Sequence, residues 1–270
     1  MSVTAGVVIN GRHQEIWCGA FAEGMRRHGV HVRRLHRSDY SFDVDVLLVW
    51  SIRNRGMIRR QQQAGRDYLV LELPYWGARN AQALHMASVG WNGLNGRADF
   101  NNQGMPGNRW ARYGVEVQPW KADGEYALLI GQCMGDMSHA HADIEKFYRR
   151  MADTWAAPLY FRHHPLGKWE GIRKTSIKAL GGSLSEALDG ARVVVTFNSN
   201  AGVDAAMAGV PVYAGDEGSM AWPVASHACN DIIRPDRTQW LHDLAYCQWT
   251  LDEMASGEAW EHLKRGTSYD

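Results

Sequence analysis

The sequence lacks the short motifs that identify several common nucleotide-binding and hydrolytic folds. No G-x-G-x-x-G follows the first apolar segment, and neither G-x-x-x-x-G-K-[ST] nor G-x-S-x-G occurs. These absences argue against dinucleotide oxidoreductases, P-loop kinases and the usual α/β-hydrolases, because each of those sites depends on its glycine-bearing turn. A metal site is also disfavoured. The histidine pairs His139/His141 and His163/His164 have no matched acidic or cysteine partners at ligand spacing.

Cysteine is scarce and long apolar runs are missing. The four cysteines, Cys18, Cys133, Cys229 and Cys247, lie far apart without a C-x-x-C pair. This spacing predicts buried reduced thiols rather than a disulfide framework or a zinc knuckle. No apolar run approaches the roughly 18 residues of a membrane span. Because no basic stretch followed by an apolar region opens the sequence, we expect no secretory signal and a location inside the cell.

Lysine is missing from the first 120 residues, although the whole chain has no formal net charge. Residues 1–120 contain 15 arginines against 9 acidic residues, a net charge of +6. Residues 121–270 contain 14 basic and 20 acidic residues, a net charge of −6. Arginine suits bidentate contact with phosphate, so the first half is a candidate surface for a polyanion. Ordinary solvated helix faces are the alternative interpretation of the same arginines.

Hydrophobic periodicity predicts alternating strands and helices over most of the chain. Strands are predicted at Val3–Ile9, His31–Leu35, Val44–Trp50, Asp67–Leu73, Tyr126–Gln132, Leu159–Arg162, from Arg192 and at Pro211–Gly215. Helices are predicted at Glu15–His28, Asn54–Ala64, His139–Trp155, from Asn200 and at Thr238–Ala255. The segment Pro74–Pro119 shows no period and is interpreted as substrate-facing loops, and Ser183–Ala191 is interpreted as a connecting segment.

This order of elements predicts an α/β protein with mostly parallel sheets. We expect two doubly wound, Rossmann-like domains facing a cleft, one over residues 1–120 and one over residues 121–270, the second closed by the C-terminal helix. In open sheets of this kind, ligands usually bind outside the carboxyl ends of the strands.

Polar residues follow two of the predicted strands in the second half. His163-His164-Pro165 follows the strand that ends at Arg162, and Asn198-Ser199-Asn200 lies between a buried strand and a short Ala-rich helix. Because the carboxyl ends of parallel strands share one edge, we expect Arg162, His164, Ser199 and Asn200 to form a phosphate site. A surface turn at the histidines and simple helix capping at the asparagines are the alternatives.

The order of three segments resembles the donor half of GT-B glycosyltransferases. They are Leu128-Leu129-Ile130-Gly131-Gln132 with Asp136, then Phe161–Pro165, then Val194–Asn200 with Asp204–Val212. The likeness is greatest to the capsule-polysaccharide Kdo transferases and related bacterial sialyltransferases, and it covers roughly residues 126–215. Those families commonly have Glu where Asp204 stands and a longer first domain. The short chain looks like phage-borne members, which would place it in the host cytoplasm.

The resemblance implies transfer of a sugar from a UDP-sugar or CMP-sugar donor, without a metal or other cofactor. The family's phosphate-binding role falls on Arg162, His164 and the backbone at Ser199–Asn200. The nucleobase, ribose or sugar hydroxyls are expected to contact Gln132 and Asp136, or Asp204 and Glu217. Asn198 is also expected among the donor-binding residues. His164 is also expected to assist the leaving group. By analogy with glycoside hydrolysis, a carboxylate from the first half acts as the base. Glu72 and Asp99 are the candidates for that role.

The acceptor is the least determined part. The arginine-rich first half favours double-stranded DNA, with a 5-hydroxymethylpyrimidine of phage DNA as the best interpretation, flipped out of the duplex for reaction. A capsule or lipopolysaccharide glycan of the Kdo or sialic-acid type is the second interpretation. A non-catalytic nucleotide- or nucleic-acid-binding protein is the third, because a fold alone does not establish an activity.

Overall fold

The computed structural model describes residues 3–39, 41–76, 86–156, 158–167 and 177–264. The chain divides into two compact units. The first unit comprises Met1–Trp110 together with Leu241–Asp270, and the second comprises Ala111–Trp240.

The regular elements of the described ranges are numbered in chain order. The strands are β1 (Thr4–Val8), β2 (His31–Leu35), β3 (Val46–Trp50), β4 (Asp67–Glu72), β5 (Met86–Trp91), β6 (Tyr126–Ile130), β7 (Leu159–Arg162), β8 (Lys178–Ala179), β9 (Ala191–Thr196), β10 (Val212–Ala214) and β11 (Gln248–Thr250). The α-helices are α1 (Arg12–Arg27), α2 (Arg55–Gln63), α3 (Asn108–Arg112), α4 (Ile144–Thr154), α5 (Leu184–Asp189), α6 (Ala201–Met207), α7 (Thr238–Leu244), α8 (Leu251–Ser256) and α9 (Glu258–Lys264).

The first unit is built on a sheet whose described strands follow the order β11-β5-β4-β3-β1-β2. Strands β1 to β4 pair in parallel, whereas β5 and β11 add antiparallel pairs at one side. Alternate residues of β3 enter different cores: Val46 and Leu48 pack in the core shared with α1, and Leu47 and Val49 pack in the core shared with α2. Both faces of the sheet are therefore covered by helices, which explains the continuous apolar run of β3.

The second unit is built on an all-parallel sheet of described order β10-β9-β6-β7-β8. One face of this sheet packs against α4, where Phe147 and Met151 of the helix meet Leu129 and Val195 of the strands. Strand β6 stands at the centre: the chain moves to β7 and β8 on one side, then crosses to β9 and β10 on the other. The predicted fold class, α/β with two mostly parallel sheets, is confirmed.

The C-terminal segment differs from its prediction. The single helix expected over Thr238–Ala255 is wrong, because β11 interrupts it and pairs antiparallel with β5. Helices α8 and α9 then pack on α1. At Gly24 of α1, an added Cβ would lie 2.1 Å from the carbonyl oxygen of Met254, so only glycine permits this approach of α1 and α8. Residues 241–270 consequently belong to the first unit, and the division differs from the expected boundary at residue 120.

Arg109 secures this C-terminal segment from within the first unit. Its side chain is 3% exposed, its Nε donates to the carbonyl of Ala245 at 2.7 Å, and its Nη2 donates to that of Gln248 at 3.0 Å. Its Nη1 and Nη2 also donate to the two carboxylate oxygens of Glu253, at 2.6 and 2.9 Å, and its Cζ lies 3.9 Å from the ring centroid of Trp249. A charge buried this deeply is tolerated only because its donors are satisfied.

Three further predictions need correction. The segment Pro74–Pro119 is not wholly irregular, since it contains β5 and α3; residues 77–85 of it lie outside the described ranges. The helix expected from His139 begins instead at Ile144, because Asp143 caps it by accepting the backbone N–H of Lys146 at 3.0 Å. The connecting segment contains α5, which starts with a capping box formed by Ser183 and Glu186.

Among the described residues, no helix is both long enough and apolar enough to cross a bilayer.

Candidate functional site

The carboxyl ends of β6, β7, β9 and β10 carry four loops that lie along one edge of the second sheet. The crossover between the two sides of β6 places a topological switch point between β6 and β9. Such a point leaves a crevice outside the strand ends, because the chain departs from it in opposite directions. The sequence-predicted donor residues of this unit are distributed over these loops and the neighbouring start of α6.

Gln132 and Asn198 bridge this switch point. Gln132 Nε2 donates to Asn198 Oδ1 at 2.8 Å, and the backbone N–H of Asn198 donates to Gln132 Oε1 at 3.1 Å. Gln132 is 6% exposed and Asn198 is 1% exposed. The backbone N–H of Gln132 also donates to the Tyr148 hydroxyl at 2.8 Å, which ties the loop to α4. The two amides therefore hold the loops after β6 and β9 in one fixed arrangement.

Asp216 extends this arrangement to the loop after β10. Its Oδ1 accepts from Asn198 Nδ2 at 3.0 Å and from the backbone N–H of Gly218 at 2.9 Å. Its Oδ2 lies 2.9 Å from Nε2 of His141, whose side chain is 45% exposed. Asp216 itself is buried. The sequence analysis missed Asp216, considered His141 only as a possible metal ligand, and selected the neighbouring Glu217, which is exposed. An acidic residue placed directly after a strand and a glycine was the available signal for Asp216.

Cys133 and His164 join the loops after β6 and β7. Cys133 Sγ lies 3.1 Å from His164 Nδ1, and the backbone N–H of Leu166 donates to the same nitrogen at 3.1 Å. Burial raises the pKa of the Cys133 thiol, and the charge of Asp136 raises it further. The protonated thiol is therefore a donor to Nδ1. This geometry assigns the ring hydrogen of His164 to Nε2, as a neutral imidazole able to donate to an anion.

Asp136 shapes the loop after β6. Its Oδ1 accepts the backbone N–H of Ser138 at 2.8 Å and so caps a 3₁₀ turn over Met137–His139. The carbonyl of Ser138 in turn accepts from Asn198 Nδ2 at 2.8 Å. His139, which is 3% exposed, completes the turn with Nε2 2.8 Å from the Cys133 carbonyl. Asp136 acts here through the backbone that it positions.

Arg162 and the start of α6 are less closely associated than the sequence predicts. Arg162 Nη1 donates to the carbonyl of Gly182 at 2.8 Å, on the β8 side of β7. Ser199 follows β9, which β6 separates from β7, and its Oγ accepts the backbone N–H of Ala201 at 3.2 Å. Asn200 is the N-cap residue of α6, and Asp204 lies half-buried in its first turn. His164 is therefore linked through Cys133 to the loop that carries Gln132. Arg162 lies apart from that loop, on the β8 side of β7.

The two candidate bases of the first unit lie at opposite ends of β4. Glu72 is the last residue of β4, at the carboxyl end of the parallel strands, and its Oε1 accepts the backbone N–H of Leu73 at 2.9 Å. Asp99 forms a β-bridge with Trp91, which pairs with Leu69 near the amino end of β4. Asp99 is exposed and Glu72 is half-buried. Glu72 therefore has the position that open α/β sheets use for ligands.

The described ranges contain no group of three or more His, Cys, Asp or Glu side chains arranged to hold a metal ion. The hydrogen-bond donors of these loops that suit a phosphate are the partly exposed side chains of Arg162, His164 and His141, together with backbone N–H groups. Such a set suits an anion, because each of these groups can donate a hydrogen bond.

Two solved structures resemble the chain over nearly all of its length. A structure of Thermosulfurimonas dismutans KpsC, a β-Kdo 2,4 transferase, aligns with a TM-score of 0.61 at 16% identity, covering 93% of this chain and 92% of that one. The β-Kdo 2,7 transferase of KpsC from the same organism aligns with a TM-score of 0.58 at 13% identity, covering 96% and 99%. The fold is therefore of the GT-B glycosyltransferase type. No protein-family model matches the sequence, and no curated protein sequence matches it.

Proposed function

We propose that this chain is a glycosyltransferase that uses a nucleotide-sugar donor. The observation that carries the proposal is the hydrogen-bonded series Asp216–Asn198–Gln132, which fixes the loops on both sides of the switch point. A nucleotide site needs such preorganised loops, because ordering them during binding would lower the affinity. The GT-B-type fold supports the same function.

The chemistry assigned to the site follows from the charges that develop during transfer. The donor loses a phosphate-bearing leaving group, so donors aimed at that oxygen stabilise the transition state. His164 carries its ring hydrogen on Nε2 and is our candidate donor to the leaving phosphate, with Arg162 as a cationic neighbour. His141 is a second candidate, because its hydrogen bond with Asp216 orients the ring.

The acceptor hydroxyl must lose a proton, and we assign the base to Glu72 in preference to Asp99. Glu72 lies at the carboxyl end of β4, whereas Asp99 lies beside Trp91 toward the other end of that strand. Gln132, Asp136 and Asn198 are assigned positioning roles, since their side chains bind other parts of the loops. Contacts to ribose or sugar are assigned to the remaining candidates, which are Ser199, Asn200, Asp204 and Glu217.

The acceptor has two candidate classes. The structural likeness to the two Kdo transferases favours a glycan, with a sugar of the Kdo or sialic-acid type. The lysine-free, arginine-rich first 120 residues are the observation that favours a 5-hydroxymethylpyrimidine in duplex DNA. We place the glycan first, because the likeness extends over nearly the whole chain.

A donor panel tests the central proposal. Thermal unfolding is measured with UDP-, GDP-, CMP- and dTDP-sugars, and the preferred donor is expected to raise the midpoint by mass action. The preferred donor is then incubated with the protein, and hydrolysis or transfer is followed by mass spectrometry. Binding without any turnover, on glycan and DNA acceptors alike, would indicate a non-catalytic binding protein. Transfer to duplex DNA containing 5-hydroxymethylcytosine or 5-hydroxymethyluracil would reverse the order of the two acceptor classes.

A further inference from the structure

An open cavity lies in the first unit, at the carboxyl ends of β2 and β3. It has a volume of about 490 Å³, within the range of ligand pockets. Among the described residues, its charged lining consists of one acidic residue, Asp39, and four arginines, Arg37, Arg53, Arg55 and Arg60. We call these four side chains and the space between them the arginine pocket. It lies at the edge of the first sheet that open α/β folds use for ligands.

The positive charge of the first unit is concentrated in the segment of the chain that supplies this cavity. Residues 26–66 contain ten arginines and three acidic residues, a net charge of +7. Several arginines outside the pocket are compensated within the unit: Arg34 pairs with Glu15 at 2.7 Å, and Arg26 pairs with Glu23 at 3.4 Å. Arg37 and Arg53 form no ion pair with any residue in the described ranges. Two of the arginines that line the cavity, Arg37 and Arg53, are therefore not neutralised by an ion pair within the described residues.

The pocket is also held in shape by its own contacts. Asp39 Oδ2 accepts the backbone N–H of His36 at 2.7 Å, which bends the loop after β2. The backbone N–H of Arg37 donates to Asn10 Oδ1 at 2.9 Å, which anchors that loop to the end of β1. The Arg60 guanidinium lies 5.5 Å from the ring centroid of buried Phe42. These contacts fix the backbone of the loop that carries Arg37 and Asp39 and hold Arg60 beside Phe42.

We propose that the arginine pocket binds a compact polyanion, a saccharide or head group that carries two or more carboxylate or phosphate groups. Guanidinium groups recognise both kinds of oxyanion through paired N–H donors. A nucleic acid fits less well. Single strands need exposed aromatic faces for stacking, and Phe42, the aromatic residue in the described lining, is buried beside Arg60. That this ligand is the acceptor of the proposed transfer rests on the proposed function, whereas the anion binding does not.

Calorimetry on the full chain, without any sugar donor, tests the pocket. The probes are trigalacturonate for a carboxylate ligand, inorganic pyrophosphate for a phosphate ligand, neutral maltotriose, and a DNA oligonucleotide. The pocket variant is Arg37→Gln/Arg53→Gln. The matched control is Arg26→Gln/Arg27→Gln, which removes the same charge from α1 outside the pocket. All four residues are exposed, so both variants are expected to keep the thermal midpoint of the parent.

We expect trigalacturonate or pyrophosphate to bind, maltotriose not to bind, and the pocket variant to lose about tenfold or more in affinity while the control keeps it. Whichever anion binds shows whether the pocket recognises the carboxylate or the phosphate groups of its ligand. Equal losses of affinity in the two variants would show that the anion is attracted by diffuse electrostatics, and would overturn the proposed pocket. Failure of both anions to bind would overturn it as well. Tighter binding of DNA, lost in the pocket variant, would overturn the ligand class. UDP and CMP binding, measured in parallel, separates failure of this inference from failure of the proposed function.

Discussion

Asn198 Nδ2 lies 3.0 Å from Oδ1 of Asp216, a carboxylate oxygen that also accepts the backbone N–H of Gly218. The same amide nitrogen donates its other hydrogen to the Ser138 carbonyl. Because both amide hydrogens are used within the protein, Asn198 organises the loops and has no donor left for a ligand. We therefore expect the donor phosphate to be contacted by other groups, with the half-exposed His141 and His164 as the proposed candidates.

The first prediction concerns the stability of this network. Replacing Asn198 with Ala leaves Gln132 and Asp216 buried without their shared partner. We expect the free energy of unfolding to fall by about 1–3 kcal/mol, the cost of unsatisfied buried polar groups. Urea unfolding followed by circular dichroism measures it. The exposed amide Gln103 provides the control, since Gln103→Ala is expected to change little. Equal stability of the two variants would contradict the role given to Asn198.

The second prediction locates the donor phosphate. If Arg162 contacts it, Arg162→Ala should raise the dissociation constant of the preferred nucleotide by about tenfold or more, because charge-assisted hydrogen bonds contribute about 1.5–3 kcal/mol. Calorimetry with UDP and CMP measures the change. Arg149→Ala, an exposed change on α4, is the control. If Arg162→Ala binds normally and His141→Gln does not, the phosphate lies toward β10 and the sequence-predicted site is displaced.

The third prediction is a pH dependence of stability. Burial opposes ionisation of Glu253, but the hydrogen bonds from Arg109 and Thr250 outweigh it and hold the pKa of this carboxyl below its usual value. A lowered folded-state pKa stabilises the protein above the unfolded-state pKa of about 4.3, and this contribution is lost as the pH falls through the folded value. Glu253→Gln should therefore lose less stability than the parent between about pH 5 and pH 3.

Unfolding in urea at several pH values measures this difference. The control is Glu258→Gln, because Glu258 lies 3.7 Å from Arg109 Nη1 but is 51% exposed. It should retain the acid sensitivity of the parent. Parallel pH curves for the parent and Glu253→Gln would show that this carboxyl does not govern the acid response.

The fourth prediction concerns Gly209, the glycine between α6 and β10. Gly209 has a φ of +78°, and a Cβ there would lie 2.1 Å from the carbonyl oxygen of Pro119. Gly114 has a φ of +58° with no atom near its would-be Cβ. Gly114→Ala should therefore cost only the left-handed strain of about 1–2 kcal/mol. Gly209→Ala should cost more, because backbone must move as well. Similar midpoints of thermal unfolding would exclude the steric contribution.

The fifth prediction is that sugar transfer does not need a divalent metal. It is motivated by the absence, among the described residues, of a cluster of three metal-ligating side chains. Activity should survive incubation with excess EDTA. Loss of activity that Mg²⁺ or Mn²⁺ restores would refute it, and the donor phosphate would then be held by a bound cation.

Much of the second unit could be predicted from the sequence. Runs such as Val193–Val195 are buried on both faces and bounded by polar turns, so period and turn chemistry identify the strand locally. The placement of His164 and Asn198 after strand ends, and of Gln132 at the end of one, follows from the same local pattern. Parallel pairing then brings those ends to one edge, and the structure confirms that these loops are joined.

Tertiary structure alone decided the rest, because it depends on partners distant in sequence. The helix-like period of Thr238–Ala255 could not show that Gln248–Thr250 would pair with β5, more than 150 residues earlier. Nor could it show that Arg109 would bind Glu253. Nothing in the sequence indicated that Asp216 and His141 would pair, and only the meeting of two loops brought them together. Local periodicity thus determined the elements, while long-range packing and satisfaction of buried polar groups determined which unit and which network each joined.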